Sequence, residues 1–78
     1  MNVFKSSCMS KTVIVLKNVD MIRKSHFFNV RSKTDQVFPQ IVVCAWGKET
    51  TLTYDVGGEY TRDLEFDALT KALEEYHG

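Results

Sequence analysis

One proline and four glycines among 78 residues are too few for a collagen-like, linker-like or low-complexity chain. Two cysteines make neither a disulfide framework nor a zinc-ligand pattern. The two histidines, His26 and His77, stand far apart in sequence, and no phosphate loop or nucleophile elbow accompanies them. The apolar run near the start, Val13-Ile14-Val15-Leu16, is far below the length of a membrane span and too short for a signal-peptide core. These features lead to the expectation of a cytoplasmic protein that is not an enzyme, holds no metal or cofactor and does not enter a membrane. Glu74 and Glu75 do not make an acid/base pair, because neighbours on a helix point in different directions.

What is present suits a small globular domain. The hydrophobic fraction is 44%, with nine aromatics, too rich for a disordered chain. A chain of this length fits one domain and buries only about 60% of its extended surface, so its core is small. Net charge is zero, yet the charges are unevenly placed. Residues 1–50 carry eight basic side chains against Asp20, Asp35 and Glu49. Residues 51–78 carry Arg62 and Lys71 against seven carboxylates. In a small fold the two halves face each other and largely cancel.

Residues 1–10 read as a loose, polar N-terminal arm, with Met9 a candidate alternative start, and 11–78 as a single α+β domain. Thr12–Val19, apolar on both faces at its centre, reads as an interior strand. His26–Arg31 and Ile41–Trp46 read as two more strands. Thr51–Val56 alternates Leu52, Tyr54 and Val56 inward against Thr51, Thr53 and Asp55 outward, as a half-exposed strand does. Asp20–Lys24, Lys33–Gln40 and Gly47–Thr50 are the expected connections. Phe66, Leu69, Leu73 and Tyr76 recur at helical spacing, with Lys71, Glu74 and Glu75 opposite, which predicts an amphipathic helix over Phe66–His77. Asp63 or Asp67 is the expected cap. The expected architecture is one antiparallel sheet of about four strands with the helix packed on one face. Cys44 lies within an apolar run and reads as a buried, inert thiol.

Three binding readings follow. In the first, Lys17, Arg23, Lys24, Arg31 and Lys33, interleaved with Phe27 and Phe28, form a basic aromatic surface that could hold a single-stranded nucleic acid. The second comes from motifs. Tyr54-Asp55-Val56-Gly57-Gly58, followed by a helix with Phe66, Leu69 and Tyr76, resembles the end of a Src-homology-2 domain, with Ala72-Leu73 where that family has Leu-Val. Phe27-Phe28-Asn29-Val30-Arg31-Ser32 is similar to the strand that carries the family's phosphate-binding arginine. The resemblance implies phosphotyrosine-peptide binding with Arg31 as the bidentate ligand and Ser32 beside it.

The third and leading reading needs no motif. A compact chain without a catalytic constellation acts by covering or docking on another protein, in the style of a virus-encoded inhibitor working in the host cytoplasm. A sheet edge and an acidic helix face are its expected contact surfaces. The candidate partner-binding residues are Arg23, Lys24, Arg31, Ser32, Lys33, Glu65, Glu74 and Glu75.

Overall fold

A computed structural model describes residues 3–29 and 36–77. Along the chain come β1 (Val3–Lys5), β2 (Val13–Val15), a 3₁₀ turn (Leu16–Asn18), β3 (Val19–Asn29), β4 (Gln36–Ala45), β5 (Lys48–Thr53) and α1 (Glu59–His77). The fold is α+β, but its strands form two antiparallel sheets where one of about four strands was expected. β1 pairs with β2, and β3-β4-β5 form a separate three-stranded meander.

The division traces to one stretch. Residues 12–19 do not form the single strand their β-branched content suggests. Ile14, Leu16 and Val19 are buried while Val13 and Val15 are exposed. Strict alternation would carry Asn18 into the core after Leu16. The 3₁₀ turn adds one residue to the period and brings Val19 inward instead. The expected connection at Asp20–Lys24 is the middle of β3, with a bulge between Val19 and Met21 absorbing the irregularity.

The loose arm expected at residues 1–10 is in part structured. Val3–Lys5 pair with β2, and Ser6 and Cys8 are buried. Cys8 therefore occupies the place in the core that the sequence assigned to Cys44, which is only half-buried.

β4 and β5 join through Trp46-Gly47, with φ of +54° and +75° and Ala45 paired to Lys48. That is the two-residue hairpin whose twist matches the strands it joins. Pro39 sits inside β4, where the connection Lys33–Gln40 was expected. It is tolerated because its main-chain groups face β5 at the last rung. Its carbonyl accepts the Tyr54 N–H at 2.8 Å, and its missing donor falls where β5 has ended.

The helix begins at Glu59, seven residues before the expected start. Gly57 turns the chain at φ +81°. Gly58 accepts the Arg62 N–H at 2.8 Å, so it caps the helix, and Asp63 and Asp67 lie inside it. Apolar periodicity is silent over the first two turns because polar side chains, Arg62 and Glu65, make their contacts. Leu69 is fully buried against Ile41, Val43 and Leu52, with Phe66, Ala72 and Leu73 packed around it. Val56, expected inward, is exposed. No helix among the described residues is long and apolar enough to cross a membrane.

Candidate protein-interaction surface

β3 is an edge strand of eleven residues, paired with β4 on one side and with no strand of the described residues on the other. The Tyr54–Pro39 hydrogen bond sets the phase of the ladder. Pro39, Ile41 and Val43 direct their main-chain groups toward β5, so Phe38, Gln40, Val42 and Cys44 direct theirs toward β3. Their partners Phe27, Ser25, Arg23 and Met21 are occupied by β4. Ile22, Lys24, His26 and Phe28 therefore turn their N–H and C=O groups outward.

The same four residues project their side chains toward the helix layer. Lys24 reaches Asp63 at 3.4 Å and lies 5.1 Å from the centroid of Phe66. Farther along the strand, His26 and Phe28 with Val37 and Pro39 of β4 and Glu59 and Arg62 of α1 line an open groove of about 410 Å³. Arg62 is the organising group. Its Nη1 donates to the Ser25 carbonyl at 2.8 Å and to that of Gln40 at 3.4 Å, and its Nε donates to Asp63 at 2.7 Å. That bond, together with Lys24, holds the Asp63 carboxyl below the ordinary carboxylate range. Arg62 was not among the expected site residues. Its only mark in the sequence is being one of two cations in an otherwise acidic segment.

The expected site residues do not converge. Arg23 and Lys24 are consecutive on β3 and so face opposite sides of the sheet. Arg23 pairs with Glu49 at 3.1 Å. Phe27 and Phe28 divide in the same way, and both are largely exposed, 54% and 45%. The expected platform of cations and aromatics is thereby split between two faces. Glu74 and Glu75 are exposed on the distal part of the helix, where Glu75 borders a cleft of about 620 Å³ with Lys5, Phe4, Leu16 and Tyr76. Arg31, Ser32 and Lys33 lie outside the described residues.

Glu65 departs furthest from expectation. It is not part of an acidic outer face but the acceptor at the centre of a polar junction. Tyr54 Oη donates to its Oε1 at 2.7 Å and Ser6 Oγ at 2.9 Å. The Ser7 N–H lies 3.2 Å from both carboxylate oxygens, and Ser7 Oγ donates to Oε2. Burial pushes the carboxyl up, but the donors from Ser7, Tyr54 and Ser6 outweigh it and hold it below the usual range. Tyr54, buried beside this carboxylate, is raised well above an ordinary phenol. Cys8 adjoins the junction. Burial opposes its ionisation, yet hydrogen bonds with Ser10, Ser6 and Thr12 bring its thiol down to about 7. With 1% of its surface exposed, the thiol is out of a substrate's reach. The junction ties the loop after β1 to the sheet and the helix, which is a structural task.

Among the described residues no three His, Cys, Asp or Glu side chains are grouped to hold a metal ion. Comparison with protein-family models, curated proteins and solved structures finds no match, so it neither supports nor opposes the Src-homology-2 resemblance.

Proposed function

We propose that the protein is a non-catalytic binding module that captures an extended segment of a partner protein by adding it as a further strand to β3. The carrying observation is the outer edge of β3, which pairs with no strand among the described residues, beside the groove at His26, Phe28 and Arg62. In strand addition the main-chain hydrogen bonds supply affinity and neighbouring pockets select side chains. Four outward residues, Ile22, Lys24, His26 and Phe28, offer the main-chain groups. The groove accepts one apolar side chain against Phe28, Val37 and Pro39, and Glu59 and Arg62 give its rim charges of both signs.

A proline at an outward-facing edge position removes a donor needed by the incoming strand while sparing the β3–β4 ladder. The test compares wild type with His26→Pro as bait in nuclease-treated lysate, with captured proteins identified by mass spectrometry. The expected result is an unchanged far-ultraviolet circular dichroism spectrum and at least about tenfold less partner captured by the variant. Equal capture by both baits overturns the strand-addition reading. Parallel titrations with a phosphotyrosine peptide library and a single-stranded oligonucleotide separate the other classes. Phosphate-dependent binding lost in Arg31→Lys would establish the Src-homology-2-like alternative. Binding that falls steeply with salt would establish the nucleic-acid one.

A further inference from the structure

The core cluster lies on the helix side of β3-β4-β5 and takes no residue from the opposite face, where Val42 is nonetheless only 5% exposed. Register and alternation place Met21, Arg23, Ser25 and Phe27 of β3 on that opposite face. Phe38, Gln40, Val42 and Cys44 of β4 and Glu49, Thr51 and Thr53 of β5 join them. A solvated antiparallel face reads as polar at alternate positions. This one carries Phe27 and Phe38 with ring centroids 6.3 Å apart, and Met21 lies more than half exposed toward the hairpin end.

We propose that this face is covered by a second copy of the chain, packed sheet on sheet about a two-fold axis running along β4. The charge pattern favours self-association over a foreign partner. Among the described residues the face holds one cation and one anion, Arg23 and Glu49, already paired at 3.1 Å. A net-neutral pair gives a charged partner nothing to recognise. A two-fold axis along β4 brings β3 of one copy over β5 of the other and sets each Arg23 near the second copy's Glu49. The same axis stacks Phe38 over its own copy with a Phe27 on either side. Size fits a weak, reversible dimer: strands of eleven, ten and six residues, at about 3.3 Å per residue and about 4.8 Å between strands, present roughly 430 Å². Two such faces together remove on the order of 900 Å² before side-chain relief is counted, the size class of a weak association. Both outer edges of β3 stay free in this arrangement, so it is independent of strand addition.

Sedimentation equilibrium of the full chain from about 1 to 200 µM tests the proposal. The expected mass rises with concentration from 9.0 kDa toward twice that value. Phe27→Asp and Thr51→Arg, both at exposed positions outside the core, each weaken association at least about tenfold with an unchanged circular dichroism spectrum. A mass of 9.0 kDa throughout overturns the proposal. So does a dimer that neither variant weakens, which would place the contact elsewhere.

Discussion

The Tyr54 hydroxyl donates to the Glu65 carboxylate at 2.7 Å, joining the residue just past β5 to the second turn of the helix. Ser6 and Ser7 converge on the same carboxylate from the opposite part of the chain. Removing the hydroxyl in Tyr54→Phe leaves a part-buried acceptor short of one donor. We expect a loss of about 1–2 kcal/mol, read as the shift in a urea midpoint at constant slope. An unchanged midpoint would show the junction to be incidental.

The pH dependence of the same junction follows from the direction of the Glu65 shift. Its carboxyl is held below the ordinary glutamate value in the fold. Its contribution is therefore complete above the unfolded-state pKa, near 4.3, and is lost as pH falls through the lower folded value. Thermal melts of wild type and Glu65→Gln should show their full gap above about pH 4.3 and converge progressively as pH falls below it toward the folded-state value. A constant gap across that range would contradict the assignment.

Leu69 is fully buried and Lys71 faces solvent. Leu69→Ala should cost about 2–5 kcal/mol, a large part of so small a domain's stability. Lys71→Ala should stay within about 0.5 kcal/mol. Equal melting shifts would place the helix in the wrong phase.

The two thiols invert the usual link between acidity and reactivity. Cys8 has the lowered pKa, about 7, but is buried, whereas Cys44 is half-buried on the open sheet face. In dilute solution, where that face is unoccupied, iodoacetamide should modify Cys44 first and Cys8 only as the loop opens. Peptide mapping over a time course reads the order directly, and prior labelling of Cys8 would mean the loop is open in the native state.

Trp46 occupies a left-handed position, φ +54°, where a bulky residue is strained, and it is 75% exposed. Asparagine suits the first position of this turn far better. Trp46→Asn should therefore stabilise the fold by about 0.5–1 kcal/mol in denaturant titrations followed by circular dichroism. Destabilisation would mean that the indole contributes contacts exceeding its backbone strain.

What could be read from the residues alone was whatever apolar periodicity controls. The distal half of the helix shows it, as do the alternating Leu52 and Tyr54, while the unbroken apolar run read as the strand Ile41–Trp46 marks the end of β4, with Trp46 itself in the turn. The first two helical turns escaped because Arg62 and Glu65 engage the sheet through hydrogen bonds, and charged side chains at those positions look like solvent-facing ones. The break at Leu16–Asn18 escaped because β-branched residues continue across it. Met21–Lys24 escaped because its charges resemble a loop, although an edge strand tolerates charge along its length. Of the candidate site, Arg23 and Lys24 were visible as cations, but their separation onto opposite faces needed the true span of β3. Glu65 looked like surface, and nothing short of tertiary contacts reveals that four donor groups surround it.

The Glu65 junction also bears on the order of assembly. The β3-β4-β5 meander closes through near neighbours in sequence, and its hairpins carry a small loop-closure cost. The bonds from Ser6 and Ser7 to Glu65 span 59 and 58 positions and cannot form until both sheet and helix are in place. Folding should accordingly proceed in two stages: a fast collapse of meander and helix, then a slower docking of the β1–β2 hairpin. The same hairpin would be the first to detach in hydrogen exchange, a latch that closes last and opens first.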